Sequence, residues 1–290
     1  MAYDILSHVR SLEELHRIIE ENPVSGAWEA EKRIVTEVRA VVDKISKDAE
    51  KVIAQVYNDA HSTAIKLTQE AERTVQRINK NSARIAADFL RDADAADGRS
   101  TKENALAAST ILKAAERTTA ELNQRAEESV SRITKKAEEA AFKVKRAVDS
   151  ATGHLADVEK DVVKRISRAG KGATSRFSAS AASNGRDEAA VKEAQLAAAE
   201  VIKNLALAAD RVNLEAKKAS AQLQEAAEEA LIAVRKAATE AAKSVHMSID
   251  DANEKILQVT SDAIRVIVGE EEATFFDLKP MKEKWANRKW

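Results

Sequence analysis

The chain has 290 residues with a formal net charge of -1, and 33% of its residues are charged while only 3% are aromatic. With 7 glycines, 2 prolines and abundant Ala, Glu, Lys, Leu and Arg, it is typical of long helices and not of a thick globular core. The absence of cysteine excludes disulfides, and the balanced charge argues against nucleic acid as a partner. No signal core or span of 18 apolar residues is present, so we expect a cytoplasmic protein.

Residues 1–24 are predicted to form a short helix of their own. Its apolar residues recur at helical spacing and lie on one side, namely Ile5, Val9, Leu12, Leu15 and Ile19. The stretch ENPVSG follows, in which Pro23 and Gly26 are expected to break the helix before the next one begins at residue 27.

Over residues 34–166, except at Ser100, and again in a second, offset run over 201–267, a large apolar residue returns every eleven positions, and a small residue usually stands four positions after it. Eleven residues over three turns is about 3.67 residues per turn, which keeps one apolar stripe on the same side of a long helix with little supercoiling. We call this stripe the seam. It consists of Ile34, Ile45, Val56, Leu67, Ile78, Phe89, Ile111, Leu122, Ile133, Val144, Leu155, Ile166, Val201, Val212, Leu223, Val234, Val245, Ile256 and Ile267.

The seam divides into helices over 27–97, 98–168 and 187–268, with a Gly/Ser-rich hinge at 169–186. Two interpretations of the first boundary remain open. The Asp97-Gly98 turn dipeptide, followed by a capping-box spacing, favours a chain reversal and an antiparallel three-helix bundle. The eleven-residue phase, however, passes through Gly98 unbroken, and this favours one continuous helix in an elongated coiled coil.

With Ile or Val at one core position and Ala at others, residues 30 to 268 resemble the broad class of eleven-residue-repeat (hendecad) coiled-coil rod proteins. The resemblance implies an all-α architecture of very long amphipathic helices. It implies no particular functional residues, because the class is defined by its repeat.

No catalytic residue, cofactor or metal site is predicted. Glu13 and His16 form a single Glu-x-x-His motif, whereas a di-iron bundle needs two such motifs and further glutamates. His246 and Asp250 lie one helical turn apart, and we interpret all four as polar residues beside the seam. The sequence contains no phosphate-binding loop, nucleophile elbow or triad signature, so we expect a protein that is not an enzyme.

The tail over 269–290 combines an acidic start with aromatic residues and a basic end. Its aromatic side chains, Phe275, Phe276, Trp285 and Trp290, are candidates for contact with a protein partner. A tail of this kind would also suit a cap on the end of the bundle or an interfacial membrane contact.

The repeat predicts a structural coiled-coil protein that forms a homo-oligomer through the Ile/Val-Ala seam, as a rod, barrel or filament-like assembly. One alternative is an amphipathic helical protein on a lipid surface, although a stripe rich in Ala and poor in Phe, Leu and Trp binds membranes weakly. Another is a helical adaptor that docks a partner through its C-terminal tail.

Overall fold

The computed structural model describes residues 14–15, 17–92, 100–183, 188–274, 276 and 278. Three long helices dominate it, and a four-residue helix follows them. They are α1 (Pro23–Asp92, 70 residues), α2 (Ser100–Ser183, 84 residues), α3 (Glu188–Val268, 81 residues) and α4 (Glu270–Ala273). The described part of the chain contains no strand, and the prediction of an all-α fold of long helices is confirmed.

The chain divides into two compact units, each with a part of α1, α2 and α3. Unit 1 comprises residues 1–50 and 140–232, and unit 2 comprises residues 51–139 and 233–290. The two are described separately below.

In unit 1, polar contacts show the direction of neighbouring helices. Glu20 pairs with Arg165 at 3.3 Å, and Glu37 lies 3.8 Å from the His154 imidazole. From the first of these contacts to the second, the residue number rises from 20 to 37 along the first segment and falls from 165 to 154 along α2. The chain from Glu20 through α1 therefore runs antiparallel to α2. The close approach of Gly170 on α2 to Leu205 on α3 brings the third helix into the same bundle.

Unit 2 has the same arrangement of its three helical parts. Asp59 on α1 pairs with Lys136 on α2, and the Thr63 hydroxyl lies 2.8 Å from the Ser129 hydroxyl, so α1 and α2 are again antiparallel. Tyr57 on α1 donates a hydrogen bond to Glu240 on α3. Each unit is therefore a bundle of three helices.

The antiparallel packing within each unit decides between the two interpretations of Gly98. A continuous helix from residue 27 to residue 168 cannot place its first half antiparallel to its second half, so that interpretation was wrong. α1 ends at Asp92, and α2 begins at Ser100, the first residue of the predicted capping box. The predicted turn at Asp97 and Gly98 itself lies outside the described residues.

The Gly/Ser-rich hinge predicted at 169–186 is helical as far as Ser183, so that prediction was wrong over most of its length. Its hydroxyls bond back to carbonyls of their own helix: Thr174 donates to Gly170 at 3.1 Å and Ser175 donates to Gly172 at 2.9 Å. Hydroxyls satisfied in this way no longer compete for the backbone in a non-helical conformation. Residues 184–186 lie outside the described part of the chain.

The predicted break at Pro23 and Gly26 is reduced to one non-helical residue, Asn22, and α1 begins at Pro23 instead of residue 27. Proline suits a first helical position, where its missing N–H would have no partner in the helix. The Asn22 side chain caps the helix by accepting a hydrogen bond from the Ser25 backbone N–H at 3.2 Å. A Cβ on Gly26 would lie 2.5 Å from Ile19 Cγ1, so glycine here permits a close approach.

Candidate interaction surfaces

The seam faces the interior of the chain's own bundles. Every seam residue whose side chain is described is buried, except the half-buried Val201; the side chain of Phe89 lies outside the described set. Alanines four positions later, such as Ala60, Ala115 and Ala126, are buried with them and allow close helix packing. We predicted the seam as an assembly surface between chains, but it is covered by helices of the same chain. Its use between chains would require a bundle to open.

A polar contact lies inside the core of unit 2. Asn253 on α3 is 0% exposed and donates a side-chain hydrogen bond at 2.9 Å to the amide oxygen of Asn123 on α2, which is 7% exposed. The Thr260 hydroxyl is satisfied by the Ile256 carbonyl at 2.6 Å. Neither asparagine was predicted to be in the core. The available signal was that Asn253 stands eight positions after Val245, where most other repeats carry an apolar residue.

His154 lies beside Glu37 in unit 1, whereas His246 is half-buried on α3 in unit 2, with Asp250 exposed. Among the described residues, no three His, Asp or Glu side chains are grouped so as to hold a metal ion. Glu13 and His16 are outside the described part of the chain.

The beginning of the tail turns back against the end of α3. Gly269 has a φ of 83°, a left-handed conformation that suits glycine after a helix end. The Phe276 N–H donates to the Ala273 carbonyl at 3.1 Å, and the half-buried Phe276 side chain lines a cavity together with Ile264 and Leu278. The other predicted contact residues, Phe275, Trp285 and Trp290, lie outside the described residues.

Unit 1 carries exposed apolar side chains around an ion pair that joins α1 to α3. The pair is Glu31 with Arg211, at 3.1 Å. On α1, Trp28 stands three residues before Glu31 and Val35 stands four after it; they are 62% and 42% exposed. On α3, the exposed Leu207 stands four residues before the arginine and the exposed Leu214 stands three after it. Because residues three or four apart share a helix face, the ion pair has apolar neighbours on both helices.

We call this set the apolar surface of unit 1; its apolar members are Trp28, Val35, Leu207 and Leu214. Trp28 was not among the predicted contact residues. The two leucines were missed, although Leu207 follows another exposed leucine, Leu196, by the same eleven residues that separate seam positions.

The exposed aromatic residue in the corresponding helices of unit 2 is tied to a charge. The Tyr57 hydroxyl donates to the Glu240 carboxylate at 2.5 Å. This hydrogen bond, assisted by partial desolvation and by the negative charge of Glu240, raises the pKa of Tyr57 above its ordinary value. The phenol is therefore held in its neutral form by a partner on α3.

Comparisons with known proteins identify the fold. No protein-family model matches the chain, and no curated protein matches it. Among solved structures, it is similar to a computationally designed three-helix bundle, with 13% sequence identity and a TM-score of 0.56 over 90% of this chain and 100% of that chain. At this identity, the similarity shows a three-helix bundle fold and nothing about function. None of the described helices contains an apolar stretch that would reach across a bilayer.

Proposed function

We propose that the protein is a non-catalytic structural protein that self-associates through the apolar surface of unit 1. The observation that carries this proposal is the exposure of Trp28 beside Val35 and two leucines around the Glu31–Arg211 ion pair. Contiguous exposed apolar side chains with polar residues among them are typical of protein interaction sites, and tryptophan is enriched among the residues that dominate binding energy.

The burial of the seam is the reason for proposing that the chains associate through a different surface. A rod, barrel or filament assembled through the seam would have to expose Ile34, Leu122 or Leu223, each of which is at most 1% exposed. Association between closed bundles leaves these contacts intact, so we favour it over opening. In the tail, the half-burial of Phe276 against the end of α3 favours a capping role over docking of a partner through that side chain.

The experiment is the molar mass of the full chain, measured by light scattering on an eluting peak over a range of concentrations. We expect a multiple of the 31.6 kDa chain mass. The variant Val35→Lys should lower the mass, because it places a charge in the apolar surface. The matched control is Ile65→Lys, since Ile65 is 43% exposed, lies on the same helix and belongs to unit 2.

A monomeric mass at every concentration would overturn the proposal. If Val35→Lys and Ile65→Lys lowered the mass equally, self-association would remain but would not use this surface.

A further inference from the structure

The core of unit 2 contains two threonines whose hydroxyls do not bond to their own helix. Thr68 and Thr118 show the usual arrangement, in which the hydroxyl donates to the carbonyl four residues earlier, at 3.0 Å in both cases. Thr74 and Thr119 are 3% and 4% exposed, and within the described part of the chain neither hydroxyl has a hydrogen-bond partner. A buried hydroxyl without a partner is unfavourable, so this pair calls for a physical explanation.

Asn253 supplies a third atom of this kind. Its Nδ2 donates to Asn123 Oδ1 at 2.9 Å, whereas its own Oδ1 is buried and has no partner among the described residues. The buried polar side chains described in unit 2 are all uncharged, so an ion placed among them would lack a compensating charge. The three atoms therefore suit a neutral ligand that both donates and accepts hydrogen bonds.

The register of α1 against α2 in unit 2 brings the two threonines to the same level of the bundle. The contact between the Thr63 and Ser129 hydroxyls fixes this register. Thr74 lies eleven residues after Thr63 on α1, and Thr119 lies ten residues before Ser129 on α2. These separations are about 16–17 Å and about 15 Å along helices that run antiparallel. Thr74 and Thr119 are therefore buried at nearly the same height.

Asn253 lies within about one helical turn of this level. Thr119 stands four residues before Asn123, so the two share a face of α2, and Asn123 contacts Asn253 on α3. Ala71 stands three residues before Thr74 on α1 and is 1% exposed, so α1 contributes only a methyl group beside the asparagines. Each of the three helices thus carries one buried polar atom without a protein partner in the same short section of the core.

We propose that unit 2 binds a water molecule in its core, held by Thr74, Thr119 and Asn253. The Asn253 Oδ1 only accepts hydrogen bonds, whereas each threonine hydroxyl both donates and accepts. The water donates to Asn253 Oδ1 and to one hydroxyl oxygen, and it accepts a hydrogen bond from the other hydroxyl. All three atoms are then satisfied, and about three hydrogen bonds to otherwise unsatisfied groups are typical of a buried water.

This water site connects all three helices of unit 2. The Asn123–Asn253 hydrogen bond joins only α2 to α3, and Thr74 extends the polar contact to α1 through the water. If α1 shifted by eleven residues so that Ile85 replaced Thr74, the water would lose one of its three partners. The site therefore favours one register of α1. It does not depend on the proposed self-association, which uses a surface of unit 1.

Crystal structures of the full chain and of two valine variants test the site directly. Thr119→Val removes one of the three partners and nearly preserves the shape of the side chain. Thr260→Val is the matched control, because Thr260 is 0% exposed in the same unit and its hydroxyl already bonds to the Ile256 carbonyl. We expect an ordered water within about 2.7–3.2 Å of the three atoms in the unaltered chain, its retention in Thr260→Val and its loss from Thr119→Val.

Oxygen-17 relaxation dispersion of the solvent provides a readout in solution, because it counts the long-lived waters inside a protein. Thr119→Val and Thr74→Val should each lower this count by one, whereas Thr260→Val should leave it unchanged. An equal count in all variants would overturn the proposal. A crystal structure in which the Thr74 and Thr119 hydroxyls donate to carbonyls of their own helices, with no water between them, would also overturn it. A monomeric chain would overturn the proposed function and leave this site unaffected.

Discussion

The two units differ in the polarity of their cores. Among the described residues, the buried polar side chains all belong to unit 2, and they are Thr74, Ser82, Thr119, Asn123, Ser129, Asn253 and Thr260. The described core of unit 1 is apolar, and unit 1 also carries more of the exposed large apolar side chains, such as Trp28 and Leu214, although unit 2 exposes some, such as Ile65 and Leu106. In unit 2, the buried polar side chains therefore help to specify how the helices pack. In unit 1, the exposed apolar side chains form a surface suited to binding another protein.

This difference matters because a strict eleven-residue repeat is ambiguous about register. If one helix slides past its neighbour by eleven residues, one seam residue simply replaces another. In unit 2, the same shift of one helix along its neighbour would lower the stability of the bundle. The residues eleven before and eleven after Asn253 are Ala242 and Ile264, so Asn123 would face an apolar side chain. Leaving a buried amide unpaired costs about 1–3 kcal/mol, and the asparagine pair therefore selects one register of α2 against α3 in that unit.

The largest expected change in stability comes from comparing a substitution in the core of unit 1 with one on its surface. Leu223→Ala removes a fully buried seam side chain and should lower the free energy of unfolding by about 2–5 kcal/mol. Leu214→Ala is the control, and because its side chain is exposed, its effect should stay within about 0.5 kcal/mol. Urea denaturation of both variants, at a concentration where the chain is monomeric, measures the difference. Equal losses would contradict the assignment of the seam to the core.

A smaller effect is expected in the core of unit 2. Asn253→Leu should cost about 1–3 kcal/mol, because Asn123 keeps a buried amide without its partner. The double variant Asn123→Leu with Asn253→Leu should recover most of this stability, since replacing both partners by apolar groups is often nearly neutral. A double-mutant cycle from denaturation midpoints gives the coupling. Additive losses would show that the two amides do not depend on each other.

Substituting alanine for each of two glycines should change the stability of the protein in opposite directions. Gly26→Ala should destabilise unit 1 by about 1–3 kcal/mol, because the new Cβ would lie 2.6 Å from the Ile19 Cα, a backbone atom. Gly153→Ala meets no atom within 4 Å in the middle of α2 and should stabilise the protein by up to about 1 kcal/mol. Thermal unfolding of both variants provides the comparison, and stabilisation by Gly26→Ala would exclude the close approach.

The smallest effect concerns the exposed contact of Tyr57 with Glu240 in unit 2. A phenol whose folded-state pKa lies above its unfolded value of about 10 contributes its full stabilisation below that pH, and the contribution is lost as the pH rises through the folded-state pKa. Glu240→Gln should therefore lower the pKa of Tyr57. Ultraviolet titration of tyrosinate measures it, with Tyr57→Phe identifying the signal. An unchanged titration would mean that the hydrogen bond does not persist in solution.

The sequence predicted the helices and their inward face, but not how the helices meet. The spacing from Ile34 to Leu223 was sufficient to predict burial, because helical periodicity is a local property. Chain reversal between Asp92 and Ser100 is a tertiary property, and a preserved phase across Gly98 gave the opposite signal. The Asn123–Asn253 pair depends on the register of two helices far apart in sequence. The exposed leucines of α3 were detectable from the eleven-residue spacing of Leu196 and Leu207, but they lie on the side of the helix away from the seam, where the repeat predicts no contact.

The joint at Asn22 has a consequence for the helical segment that precedes α1. The described residues of this segment, 14–15 and 17–21, are helical, and its side chains Leu15 and Ile19 are fully buried. Because only Asn22 connects the segment to α1, the segment behaves like a ligand that is covalently attached next to its binding site. The effective concentration across so short a connection is of the order of millimolar. Cutting the chain at Asn22 would make this docking bimolecular, and the burial of Ile19 would then depend on how much free peptide is present.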